Sequence, residues 1–142
     1  RLSLVGSEMC IRDRNKTDKR ESGYCRVKVE GKDLSFYGKK IKTKNKNFWV
    51  YAANPGKIKK PTNSHPIVQS YVDLFIGGCF QIKERYKINE FPKQCVETTT
   101  EWSKFWVNDR VHARRPFLVP NFYKIDNLLS NLFDYYLDNK YQ

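Results

Sequence analysis

Residues 18–29 read DKRESGYCRVKV, and from Tyr24 to Glu30 the chain alternates strictly, with Cys25, Val27 and Val29 on one side and Arg26, Lys28 and Glu30 on the other. A period of two marks a half-buried strand, because successive side chains of a strand point to opposite faces. Just before the Gly23-Tyr24 turn into this strand stands Glu21. A carboxylate at a strand mouth, partly withdrawn from water, can serve as general base or acid. The plainer reading of the same residue is a surface glutamate beside Lys19 and Arg20.

Downstream, Gly31-Lys32 gives a turn, Leu34–Tyr37 a short strand, and Asn47–Ala53 (NFWVYAA) a mostly buried strand closed by Asn54-Pro55-Gly56. A long helix follows, with Ser64 as its cap and Pro66 in its first turn, where no backbone N–H is needed. Ile67, Val68, Tyr71, Val72, Phe75, Ile76, Cys79 and Phe80 recur at helical spacing as one apolar stripe. Gly77 and Gly78 each cost such a helix about 1 kcal/mol relative to Ala, which close approach of a neighbouring backbone would explain. A shorter helix spans Glu90–Thr98 with Pro92 in its first turn. A C-terminal helix carries Ile125, Leu128, Leu129, Leu132, Phe133, Tyr136 and Leu137 on one face. Between these helices lies TTTEWSKFWVNDRVHARRPFLVP (Thr98–Pro120), irregular and too aromatic for a free linker. Strands first and helices after point to an α+β fold.

Upstream, residues 4–14 read LVGSEMCIRDR, with neither apolar period nor turn grammar. Back-translated, the run resembles an adapter of transposase-based sequencing libraries, so residues 1–14 are read as a non-native artefact and set aside. The native chain is then expected to start near Asn15, with a strand or more lost before it.

The net charge of +12 ordinarily suggests nucleic acid or an anionic membrane surface. Much of it lies in two lysine stretches, Lys39–Lys46 and Gly56–Lys60, which read as solvated loops, so nucleic-acid binding is not expected. Of the four cysteines, Cys10 falls in the artefact. The remaining three, with no CxxC, argue against a disulfide framework and a zinc site and for a reducing cytoplasm. No stretch reaches the roughly 20 apolar residues of a membrane span.

The order of features, DxRExGYxRVxV from Asp18, then a strand ending VYxxNP, then a helix holding QSYVD and a Gly-Cys step, resembles the γ-glutamylcyclotransferase-like family. The likeness runs from about Asp18 to Phe80, with Cys79 where a small Ala is usual. It implies a small mixed β-barrel with flanking helices, here missing its N-terminal strand. The domain would cover residues 15–100, with residues 101–142 a C-terminal extension ending in an amphipathic helix. It further implies that Glu21 is the catalytic general acid/base, that Tyr24, Tyr51 and Tyr71 line the substrate pocket, and that no cofactor or metal takes part. The implied reaction releases 5-oxoproline from a γ-glutamyl small molecule, in a cytoplasmic monomer or homodimer that does not bind membranes. The family's Tyr-Gly-Ser-like loop, an anion nest for the substrate carboxylate, does not occur here. The likeness therefore implies that the chain as it stands binds substrate poorly or not at all and is inactive.

The alternative class is a non-catalytic basic module that binds nucleic acid or an acidic partner. His112 with Arg110, Arg114 and Arg115 could hold a phosphate or carboxylate, although pairing of Asp109 with Arg110 and solvation of the rest is the expectation. His65 has no metal-spaced partner and reads as a cap-region residue. Trp102, Phe105 and Trp106, at i, i+3 and i+4, read as a helical contact set pinning the extension to the barrel.

Overall fold

The structure, a computed structural model, describes residues 11–37, 42, 46–54, 56, 58–115 and 119–134. The chain is α+β and divides into two compact units, residues 2–59 and residues 60–142.

In the first unit, helix α1 (Ile11–Arg20) begins inside the segment that back-translation assigns to an adapter and ends on Lys19 and Arg20, favourable charges for a helix C-terminus. Glu21 N–H still reaches Thr17 O at 2.8 Å, and Tyr24 N–H reaches Glu21 O at 2.9 Å, so residues 21–23 turn the chain directly into β1 (Tyr24–Val29). β1 pairs antiparallel with β2 (Phe48–Ala53), Tyr24 opposite Ala53 and Val29 opposite Phe48. The register puts Tyr24, Arg26 and Lys28 on one face with Trp49, Tyr51 and Ala53, and Cys25, Val27 and Val29 on the other.

Two expectations for this unit need correction. Cys25 and Val27 are exposed rather than half-buried, Val27 at 46%, because a sheet of two strands does not bury a face by itself. Leu34–Tyr37 is not a strand. A 3-10 turn at Gly31–Asp33, closed by Asp33 N–H to Glu30 O at 2.9 Å, diverts the chain before it. Among the described residues the strands form two two-stranded sheets and no closed barrel. Of the lysine stretches, Lys42, Lys46, Lys59 and Lys60 are described and exposed; the others, and Tyr136 and Leu137, lie outside the described residues.

The second unit is built on α2 (Gln69–Tyr86), flanked by α3 (Phe91–Thr98) and α4 (Phe122–Leu132). Its core joins Val72 and Ile76 of α2, Val96 of α3, and Ile125 and Leu129 of α4. Full burial of each such side chain is worth about 1.5–3 kcal/mol. Cys79, Cys95 and Phe91 make a smaller cluster where α2 meets α3, and burial, then the hydrogen bond with Cys95, pushes the Cys79 thiol up. Both cysteines thus act as small hydrophobes.

The expected start of α2 is displaced. Ser64 and Pro66 precede the helix, and β-branched Ile67 and Val68 form β3, parallel to β4 (Trp106–Val107), with Ile67 N–H on Phe105 O at 2.8 Å. Trp106 is therefore on a strand and not a helix. Trp102 stacks on it at 5.7 Å and donates its indole N–H to Val96 O at 2.9 Å. Nor is the apolar stripe of α2 buried throughout: Tyr71 and Phe75 are exposed while Val72, Ile76 and Cys79 are not.

The two glycines of α2 differ sharply. A Cβ on Gly77 would sit 2.9 Å from Val119 Cγ1, a side chain where the sequence suggested backbone, whereas one on Gly78 meets nothing within 4 Å. Gly78→Ala is expected to stabilise the second unit by about 0.5–1 kcal/mol through helix propensity alone. Gly77→Ala gains nothing net, because Val119 must shift. Paired urea midpoints for the two variants check this, and equal gains at both sites would refute it.

Candidate functional site

Asp18 lies in the last turns of α1, and its carboxylate joins the polar face of the β1–β2 sheet. The Tyr51 hydroxyl donates to Asp18 Oδ1, and Arg26 Nη1 donates to Oδ2, both at 2.5 Å. The Arg26 guanidinium also sits over the Trp49 ring, 4.8 Å from its centroid. The hydrogen bond to Asp18, then partial burial and the Asp18 charge, raise the Tyr51 hydroxyl above the ordinary phenol range against the opposing pull of Arg26.

Glu21 stands one turn further on, at the mouth of β1. Its carboxylate accepts from Arg20 Nε at 2.8 Å, and its side chain is 26% exposed against 75% for Arg20. Such a pair is worth little and leaves the carboxylate free to exchange partners. Tyr24, the first residue of β1, is 53% exposed on the same sheet face as Tyr51. The first unit thus carries three of the four residues that the family resemblance singled out, and it brings to Tyr51 not Glu21 but Asp18. Asp18, Arg26 and Trp49 were not singled out from the sequence. Asp18 stands in the sequence only as the first residue of the DxRE pattern, and the pairing of Arg26 with Tyr51 needs the strand register, which sequence alone does not give.

The fourth residue, Tyr71, belongs to the second unit. It lies in the first turn of α2, 47% exposed, with the Arg115 guanidinium 4.5 Å above its ring. Beside it, Asp109 accepts from Ser70 N–H at 2.8 Å, from Ser70 Oγ at 2.7 Å and from Arg114 N–H at 2.8 Å. Asp109 thus caps a helix whose own N-cap, Val68, offers no side-chain bond. Burial is the largest influence on its carboxyl and pushes it up, but the bonds from Arg114 and Ser70 together outweigh it and hold Asp109 below the usual carboxylate range. A depressed folded-state value means that the stabilisation is complete above the unfolded value near pH 4 and is lost as pH falls through the folded one. Asp109→Asn is therefore expected to cost about 1 kcal/mol, constant from neutrality down to about pH 5 and shrinking only at more acid pH. Urea midpoints measured against pH would expose a deficit that instead varies near neutrality.

The expected Asp109–Arg110 pair does not form. Arg110 turns inward and forks onto Asp73 through Nε and Nη2, both at 2.7 Å, and reaches Asp126 through Nη2 at 2.8 Å and Nη1 at 3.1 Å. Both acids are buried, at 5% and 4% exposure. Burial works against the charged guanidinium, but the bonds to Asp73 and Asp126 outweigh it and hold Arg110 protonated. Gln69 extends the network, donating to Asp73 at 2.7 Å and accepting from the Trp106 indole at 2.8 Å. This group ties residues 106–110 to α2 and α4; every polar atom named here is engaged within the protein.

Among the described residues there is no cluster of three or more His, Cys, Asp or Glu able to hold a metal, and no helix long and apolar enough to cross a membrane. Compared with protein-family models, with curated proteins and with solved structures, the chain gives no match.

Proposed function

We propose that the chain is a γ-glutamylcyclotransferase-like enzyme, a small cytoplasmic mixed barrel that releases 5-oxoproline from a γ-glutamyl compound with Glu21 as general acid/base and no cofactor. The observation that supports this reading is local: the DxRExGY segment folds as a helix end, a turn and a strand, with Glu21 in the turn that leads into β1, the strand that carries Tyr24 and pairs with the strand of Tyr51. The α-ammonium of a γ-glutamyl group cannot attack while protonated. Glu21 takes its proton, the freed amine closes on the γ-carbonyl, the new C–N bond completes a five-membered ring, and the bond to the departing nitrogen breaks. Glu21 carries the protons from the α-nitrogen to the departing nitrogen. Attack within one molecule lets positioning supply much of the acceleration.

The reading assigns substrate anchoring to a Tyr-Gly-Ser-type loop before Asn15. Its first test is the source nucleic acid upstream of the Asn15 codon. A short apolar strand followed by such a loop is the expected result; a start codon at the junction, with no loop, would overturn it. The second test is release of 5-oxoproline from γ-glutamyl dipeptides by the chain that includes those residues.

One observation favours the alternative class: Arg115 rests on exposed Tyr71 beside Arg114, an arrangement that also suits a nucleic-acid surface. Oligonucleotide binding that weakens steeply with salt would support that class, and no binding at low salt would remove it.

A further inference from the structure

We infer that the β1–β2 face carrying Tyr24, Arg26, Lys28, Trp49 and Tyr51 is a docking surface for single-stranded nucleic acid, with bases stacked on Tyr24 and Tyr51 and phosphates drawn to Lys28. The inference goes beyond the enzyme reading and does not depend on it.

The distribution of charge points to a polyanion. From Asn15 to Lys59 the chain has thirteen Lys and Arg against four Asp and Glu, whereas the residues after Lys59 have eleven against nine. The positive charge thus belongs mainly to the first unit, and an imbalance of this kind draws polyanions to one part of a chain. The two lysine stretches account for only part of it, since Arg26 and Lys28 stand on the sheet itself.

The strand register adds the aromatic groups. It sets Tyr24, Arg26 and Lys28 opposite Ala53, Tyr51 and Trp49, so cations and rings share one face. Tyr24 is 53% exposed, and Ala53 opposite it is too small to cover its ring. Tyr24 and Tyr51 are diagonal neighbours, about 7–8 Å apart, which gives two bases separate rings. The Tyr51 hydroxyl is bonded to Asp18 and Arg26, and these bonds hold the ring at its edge. Arg26 is committed to Asp18 and the Trp49 ring, and Lys28, exposed beside them, is the cation placed to meet a phosphate. Of the acids near the face, Asp18 and Glu21 are paired with Arg26 and Arg20, and Glu30 follows the strand. Exposed rings among cations suit a single strand, because every base has a π-face to offer, whereas a duplex keeps its bases stacked on one another.

The test is fluorescence anisotropy of a labelled oligothymidylate of about 12 nucleotides, titrated with the chain itself at low salt. The expected result is binding that weakens steeply with salt and is tighter than binding of the same strand paired with oligoadenylate. Tyr24→Ala is expected to weaken it about tenfold, and Tyr24→Phe, which keeps the ring, to leave it unchanged. Lys28→Gln is expected to weaken binding and to lower the salt slope by about 0.7, the share of one phosphate. Both side chains are exposed, so the variants are expected to fold as the parent does. No binding at low salt would overturn the inference. Equal affinity for single strand and duplex would do the same, as would parental affinity in Tyr24→Ala, since attraction of a polyanion would then suffice. Loss of binding in Arg115→Gln, with Tyr24→Ala unaffected, would move the surface to Tyr71 and overturn it as well. None of these outcomes bears on release of 5-oxoproline, because no γ-glutamyl compound is present.

Discussion

Arg110→Ala is expected to destabilise the second unit by about 3–5 kcal/mol, a large share of the roughly 5–15 kcal/mol that holds a domain of this size together. The guanidinium is a counter-charge to both Asp73 and Asp126, whose side chains are 8% and 6% exposed. Without it two carboxylates stay buried, and the protein must protonate them or open to water. The loss is therefore expected to shrink as pH falls, the opposite of a simple packing defect. Arg110→Lys recovers little, since one ammonium cannot reproduce a fork across two carboxylates. Adding Asp73→Asn and Asp126→Asn to Arg110→Ala recovers part of the loss, because removing a whole network costs less than orphaning part of it. Urea denaturation followed by tryptophan fluorescence measures all four forms. A loss below about 1 kcal/mol in Arg110→Ala would show the group to be no more than a surface pair.

Glu21→Gln carries the largest kinetic prediction. General acid–base catalysis contributes about 10²–10⁴-fold. In the form that includes the residues encoded before Asn15, the substitution is expected to lower kcat by that factor with little change in KM. Glutamine preserves the size and hydrogen bonding of the side chain but cannot take a proton. The Arg20–Glu21 contact is too exposed to matter for folding, so the variant should unfold at the same urea concentration as the parent. Unchanged turnover in Glu21→Gln would move the proton transfer to another group and end the role assigned to Glu21.

The local periodicities of this chain were legible in its sequence, and the long-range partners were not. Alternation from Tyr24 predicted β1, apolar spacing predicted most of α2 and α4, and Pro92 marked the first turn of α3, because each of those signals is carried by neighbours in the chain. The start of α2 was misplaced because Ser64 and Pro66 are good local signals, while the residues that decide the matter, Trp106, Val107 and Asp109, lie some 40 positions away. Arg110 was assigned to its neighbour Asp109 for the same reason. A hint was present: Asp73 follows Val72 and Asp126 follows Ile125, so each acid interrupts a buried helix face and needs a cation that its own helix does not supply. At the candidate site, motif order pointed to Glu21, Tyr24 and Tyr51. The contact of Asp18 with Tyr51 spans 33 residues and depends on a strand register that no local pattern encodes.

The cap on α2 is lent by Asp109 from 39 residues downstream, and this has a consequence for how the second unit comes apart. Most helices begin to fray at their first turn, on their own and at little cost. Here the first turn cannot open until residues 106–110 have undocked, and those are held by the Arg110 fork and the Trp106 indole. The amide of Ser70, at the very start of a helix, is therefore expected to exchange with solvent deuterium as slowly as amides at its centre. End and middle of α2 belong to one cooperative foldon.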